Sequence, residues 1–365
     1  MLIDSAYSVF DAWSNTNLAV YWGQDSSNHQ KDLRYYCEDD TIDIIPLAFL
    51  YVFFGDGGYP VIDFANTCNQ QTNATFTNTT LADCSFMASD IQYCQSRGKI
   101  VTLSLGGGTG VVSFTSDDQA KSFADQVWKM FLAYEWQSGG VHRPFGWAAL
   151  DGVDLDIESG TPAHYAAFVN QIRTHELKGT RRYFVSAAPQ CPYPDENIGS
   201  ALDEAPFDAV FVQFYNNYCA LSSPNSYNFN VWDDWARNTS YNPSIKVYIG
   251  APASNDAGWG YVNTSALEAY VHDAQEKYSS FGGVMLWDAS EAHDNDRYDL
   301  SAKKALQDGP HAHSGDDLDP PGSLASIVSL PMPTPENARS TLSPSASIPL
   351  PSSPPGRFAF EGTVV

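Results

Sequence analysis

The sequence predicts an α/β chain folded as a (β/α)8 barrel, and three observations carry that prediction. Eight short β-rich runs recur before Gly309, amphipathic helical stretches separate several of them, and polar residues gather at the carboxyl ends of several runs. In order, the runs are LAVYW from Leu18, IIPLAFLYVF from Ile44, KIVTLSL from Lys99, ALDGVDLDIE from Ala149, YFVSAAP from Tyr183, AVFVQFY from Ala209, KVYIGAP from Lys246 and GVMLW from Gly283. Among the separators, DDQAKSFADQVWKMFLAYEW and TSALEAYVHDAQEKYSSF place apolar residues three and four apart, with acids near the start, as helices do. A doubly wound open sheet is the alternative, and it too would gather polar groups at strand carboxyl ends.

The 365 residues are enough for a barrel as one unit, and a composition 43% hydrophobic and 13% aromatic can fill its core. The expected organisation is an N-terminal extension over 1–16, a (β/α)8 barrel over 17–308 and a tail over 309–365. Pro and Ser dominate that tail and aromatics almost vanish, so it cannot bury enough surface to offset its ordering entropy. It reads as a disordered linker or stalk, open to O-glycosylation. His311 and His313 within it could pair around a metal, but a solvated linker is the expectation, and no metal or cofactor is called for elsewhere. His164 and His272 fall on predicted helices and read as surface residues.

A formal net charge of −24 argues against nucleic acid or an anionic membrane as partner, because both need clustered Lys and Arg. No apolar run approaches the length of a membrane span. The six cysteines are an even set without metal-type spacing, and the sequence alone allows fifteen pairings. Four Asn-x-Ser/Thr sites, at Asn73, Asn78, Asn238 and Asn263, join them in favouring a secretory, oxidising compartment and a glycoprotein. The opening MLIDSAYSVFDAWS lacks the basic and apolar regions of a signal peptide, so the expectation is that the true start is missing.

The chemistry concentrates in DGVDLDIE. Alternate side chains of a strand face opposite ways, so Asp154, Asp156 and Glu158 share one face and Val153, Leu155 and Ile157 the other. In a barrel the acids rise through the lumen toward the mouth, with Glu158 uppermost. Asp151 has the opposite parity and reads as structural. A Ca2+ or Mg2+ site would recruit ligands from loops or several elements. Stacked carboxylates in low dielectric cannot all ionise, so at least one pKa must rise, and a carboxyl kept protonated is a general acid. That points to glycoside hydrolysis. No opposing carboxylate is obvious across the cleft, which suits a substrate whose own N-acetyl carbonyl is the nucleophile.

DGVDLDIE resembles the DGxDxDxE signature of the family 18 glycoside hydrolases, and LSLGGG from Leu103 resembles their SxGG signature. With YWGQ from Tyr21, AAPQCPYP from Ala187, VQFYNN from Val212 and GGVMLW from Gly282, the pattern is similar to the class III, hevamine-like chitinases of plants and fungi, over about residues 17–308. The resemblance implies a TIM barrel and an endo-acting, retaining chitinase that uses no cofactor. Glu158 would protonate the glycosidic oxygen, Asp156 would orient the acetamide, and Asp154 would share a proton with Asp156. Tyr215 would bond the acetamide carbonyl, Gln213 would contact the same sugar, and Trp287 would form the floor. Tyr21, Gln24 and Phe49 would line the cleft, while Ser104, Gly106 and Gly107 would shape the wall. The family pattern pairs Cys37 with Cys94, Cys68 with Cys84 and Cys191 with Cys219. The substrate would be chitin or its oligosaccharides, the protein a monomer, and its place outside the cell or in the wall. An endo-β-N-acetylglucosaminidase acting on N-glycans, or a non-catalytic lectin or inhibitor on the same barrel, are the competing readings.

Overall fold

The computed structural model describes residues 10–134, 140–310 and 312, so the expectations for His311, His313, residues 1–9 and nearly all of the Pro/Ser-rich tail lie outside the described residues. Each of the eight β-rich runs contributes one strand. They are β1 (Asn17–Val20), β2 (Ile44–Val52), β5 (Ile100–Gly106), β6 (Gly152–Asp156), β7 (Phe184–Ala187), β8 (Ala209–Gln213), β9 (Lys246–Pro252) and β10 (Phe281–Trp287). Between β2 and β5 lie two short antiparallel strands, β3 (Val61–Phe64) and β4 (Cys68–Asn69). The eight long runs pair in parallel and in sequence. β1 bonds both β10 and β2, so the sheet closes on itself and the open-sheet alternative is excluded.

Period-two alternation divides the apolar residues between two cores. Leu18, Val20, Val153, Leu155, Ile157, Val210 and Val212 pack outward beneath the helices. Ala19, Tyr21, Ala48, Phe184, Ala209, Phe211, Tyr248 and Met285 fill the lumen. The segment before β1 belongs to this packing. Phe10 meets Phe184 edge-on at 5.4 Å and donates its backbone N–H to Gly98, covering the base of the lumen.

The surrounding helices are α1 (Ala88–Ser96), α2 (Asp117–Val127), α3 (Tyr165–Glu176), α4 (Gly199–Glu204), α5 (Phe229–Asn238), α6 (Thr264–Lys277), α7 (Ala289–Asp294) and α8 (Tyr298–Gln307). Three of them begin on side-chain caps: Ser116 accepts the N–H of Gln119 at α2, Asn263 that of Ala266 at α6, and Asp288 that of Glu291 at α7. The first predicted helix is shorter than its apolar pattern. After Val127 it widens into a π-helical turn, Trp128–Leu132, which buries Met130, Phe131 and Leu132 against the barrel. His164 sits just before α3 in a left-handed conformation, with Nδ1 2.6 Å from Asp117, rather than within a helix. His272 lies on α6 but is half-buried, its ring nitrogen 3.2 Å from the Ala305 carbonyl.

The three disulfides are Cys37–Cys94, Cys68–Cys84 and Cys191–Cys219, the pairing that the family pattern implies. Cys68–Cys84 closes the shortest loop, 16 residues, and such a crosslink stabilises by roughly 3 kcal/mol through the unfolded chain. Cys191–Cys219 joins the loops that follow β7 and β8, at the end of the barrel where the acids emerge.

Candidate active site

Strand register builds the site. In the parallel ladder Asp154 lies level with Ser104 of β5 on one side and Ser186 of β7 on the other. All three therefore face the lumen in one layer, and both hydroxyls reach the carboxylate, Ser104 Oγ at 2.6 Å and Ser186 Oγ at 2.7 Å. Tyr21, just past the end of β1, donates its hydroxyl to Asp154 at 2.7 Å. Asp154 is fully buried, and burial pushes its pKa up while the three hydroxyl donors pull it back. The partners of Asp154 are thus hydroxyls, which offset only part of the cost of burying its charge.

One layer higher, Asp156 pairs in register with Gly106, where a Cβ would stand 2.0 Å from the Asp156 carbonyl. Gly106 has a φ of +122°, so both its conformation and the close approach require glycine. Asp156 takes one side-chain hydrogen bond, from Gln213 Nε2 at 2.8 Å. Its pKa stands well above the ordinary value, first through burial and then through the charges of Glu158, Asp154 and Asp195. Gln213 donates also to the Ala188 carbonyl at 2.9 Å, so its amide nitrogen is committed to the protein and positions Asp156.

Glu158 lies two residues beyond β6 and is only partly buried. Burial raises its pKa first, and the negative charge of Asp195 raises it further. A Cβ on Gly108 would stand 3.8 Å from both Glu158 carboxylate oxygens, so the backbone of this glycine forms the wall beside the acid. Tyr215, two residues past β8, is nearly buried, and burial together with Asp156, Glu158 and Asp154 raises its hydroxyl well above the usual range. It therefore stays protonated and available as a donor.

Aromatic rings floor the mouth. Trp287 ends β10 and stacks on Phe49 at 5.7 Å and 16°, with Tyr21 at 5.6 Å. Gly107 completes this floor, because a Cβ there would meet the Phe49 ring at 2.7 Å. The structure thus brings Asp154, Asp156, Glu158, Tyr215, Gln213, Tyr21, Phe49, Trp287, Gly106 and Gly107 to one end of the barrel. Gln24 is partly buried, and main-chain carbonyls take its amide nitrogen. Its Nε2 donates to the carbonyls of Ala48 at 2.8 Å, Asp63 and Gly23, anchoring the β1 loop to the main chain of β2 and β3.

Sequence reasoning missed Ser186, Gly108 and Asp195. Ser186 and Gly108 were open to discovery, since one has lumen parity in its strand and the other sits in the glycine run. Asp195 gave no signal, because it belongs to an irregular loop. There its carboxylate accepts the N–H groups of Gln190, Asn197 and Ile198, which holds it in place near Glu158.

A closed parallel barrel with an acid column at its carboxyl end defines a class of glycan-cleaving enzymes, and residues 17–258 match the model of glycosyl hydrolases family 18. The chain belongs to that family. It is 44% identical over 306 residues to Chitinase 2 of Rhizopus oligosporus, covering 82% of this chain and 54% of that one. It is 39% identical over 319 residues to Endochitinase 33 of Trichoderma harzianum, covering 84% of this chain and 96% of that one. The chain spans about half the length of several of the curated chitinases it matches. Among solved structures, the ICChI chitinase of Ipomoea carnea superposes with a TM-score of 0.67 at 33% identity, over 79% of this chain and 99% of that one. A xylanase and α-amylase inhibitor of Scadoxus multiflorus, XAIP-II, superposes equally well, at 0.67 and 33%, over 78% and 97%.

Proposed function

We propose that this chain is an endo-acting chitinase, cleaving β-1,4 bonds between N-acetylglucosamine units with retention of configuration. The carrying observation is the column of Asp154, Asp156 and Glu158 with Tyr215 beside it, four titratable groups whose pKa values are all raised and which form no salt bridge among the described residues. Glu158, kept protonated by burial and by Asp195, gives its proton to the glycosidic oxygen as the bond to the anomeric carbon breaks. The acetamide carbonyl oxygen of the same sugar attacks that carbon, forming a cyclic oxazolinium. Asp156 accepts the acetamide N–H and balances the positive charge, while the Tyr215 hydroxyl bonds the acetamide oxygen. Glu158, now a carboxylate, takes a proton from water that attacks the same face and opens the ring, which restores the acid and retains the configuration.

Trp287, Phe49 and Tyr21 supply the apolar floor under the reacting sugar. Because a xylanase and α-amylase inhibitor superposes on the same fold, the reading rests on the intact acid column and Tyr215 and not on the barrel. Three disulfides fit an oxidising compartment, and with it action outside the cell or in the wall, as a monomer on chitin or its oligosaccharides. The test is product analysis on a soluble N-acetylglucosamine hexamer beside its fully deacetylated counterpart. The expected result is shorter oligomers in the β configuration from the first and none from the second. Comparable cleavage of the deacetylated chain would remove substrate assistance.

A further inference from the structure

Two large aromatic side chains at the mouth of the barrel are left in water: Trp259 is 58% exposed and Tyr218 63%. Trp259 lies in the loop that leaves β9. Topology fixes where that loop emerges, because β9 is bonded to β8 on one side and to β10 on the other. At its root Pro252 pairs in register with Trp287, and Ala253 donates its N–H to the Trp287 carbonyl at 2.8 Å. Further along, the loop returns to Tyr215: a Cβ on Gly260 would lie 3.1 Å from the Tyr215 Cα. Trp259 thus stands at the rim between the two residues that the proposed mechanism places against the reacting sugar.

The loop is pinned there. Asn216, next to Tyr215, donates its backbone N–H to the Trp259 carbonyl at 2.7 Å, and its side-chain oxygen accepts the Trp259 N–H at 2.9 Å. Asn216 adopts a φ of +54°, a left-handed conformation that asparagine tolerates better than most residues. Its neighbour Asn217 bonds Gln190 at 2.8 Å, and the Cys191–Cys219 disulfide ties the same two loops two residues further on. The loops after β7, β8 and β9 therefore form one crosslinked shelf carrying both exposed rings. Pinning its main chain leaves the exposed indole less to lose on binding than one on a free loop, and its flat apolar face suits the C–H face of a pyranose.

We propose that Trp259 is a platform for a further N-acetylglucosamine unit of the bound chain, beyond the one over Trp287, and so sets a preference for longer oligomers. The inference rests on the proposed action on this polymer. Binding is measured by calorimetry with the N-acetylglucosamine dimer and hexamer, in the full chain carrying Glu158→Gln so that ligand survives. Adding Trp259→Ala is expected to weaken the hexamer about tenfold and the dimer much less, with Tm unchanged. Trp259→Phe should recover most of the loss. Trp147→Ala is the control, removing a 54% exposed tryptophan from the turn before β6, at the opposite end of the barrel, and should change neither affinity. Equal hexamer affinity with and without Trp259, including no affinity in either, would overturn the platform. Failure of the unmutated chain to cleave the hexamer while hexamer affinity still depends on Trp259 would instead refute the catalytic reading and leave the platform standing.

Discussion

The two ends of the barrel handle buried carboxylates in opposite ways. At the base, Asp43, Asp151 and Asp208 each stand one residue before a strand, namely β2, β6 and β8. Each accepts a backbone N–H from the neighbouring strand, that of Leu18 at 2.7 Å, Val101 at 2.8 Å and Val185 at 2.9 Å. Each also meets a cation: Lys303 at 2.6 Å for Asp43, Arg181 for Asp151, and Arg173 at 2.7 Å together with Arg182 for Asp208. At the mouth, Asp154, Asp156 and Glu158 have hydroxyl, amide and carboxyl neighbours and, among the described residues, no ion pair. For Asp43 and Asp151, burial raises the pKa and the cation opposes it. For Asp156, burial and three other carboxyls all push the same way. Paired charge at the base serves register and stability, and uncompensated charge at the mouth keeps protons available for chemistry.

That contrast can be broken from either end, and the largest effect is expected at the mouth. Glu158→Gln should lower kcat on chitin oligomers by about 10³-fold or more, while thermal unfolding stays close to that of the unmutated chain. Near-normal turnover would remove Glu158 as the acid. At the base, Asp43→Ala leaves the Lys303 ammonium buried and unpaired. Denaturant unfolding should show a loss of about 3–5 kcal/mol, with kcat per folded molecule retained.

A smaller effect should run in the opposite direction. The folded pKa of Asp156 is raised, so the folded state holds that proton more tightly than the unfolded chain, and ionising it costs stability as pH rises through the folded value. Asp156→Asn removes that cost. It should stabilise the protein by about 1 kcal/mol at neutral pH, give no gain once the pH is below the ordinary aspartate range, and impair catalysis. Unfolding curves at the two pH values check the sign. The smallest effect concerns Asp195→Asn. Without that negative charge Glu158 should lose its proton at lower pH, moving the basic limb of the kcat/KM profile toward acid. An unmoved limb would show that Asp195 serves only its backbone contacts.

Much of the mouth was legible in the sequence because alternation is local. The parity of DGVDLDIE placed Asp154 and Asp156 in the lumen and Asp151 apart from them, and the structure finds Asp151 at the base with Arg181 and Gln95. The same rule accounts for Tyr21, Phe211 and Met285 facing inward. Local pattern failed where several strands had to be combined. The donors to Asp154 come from β5, β7 and the end of β1, and only barrel register makes them level. Gln24 and Gln213 illustrate the same limit: both were legible as polar residues near the mouth, but not the main-chain carbonyls and the Asp156 carboxylate to which their amide nitrogens donate.

Readable from the sequence alone were the eight barrel strands, the face each acid occupies and the family, because side-chain alternation and contiguous motifs are properties of neighbouring residues; the short β3 and β4 were not. Tertiary structure decided which carboxylates are neutralised. Asp43 and its Lys303 are 260 residues apart, and Asp195 reaches Glu158 from an unpatterned loop. Charge compensation depends on distance in space and on burial, and neither is set until the barrel closes.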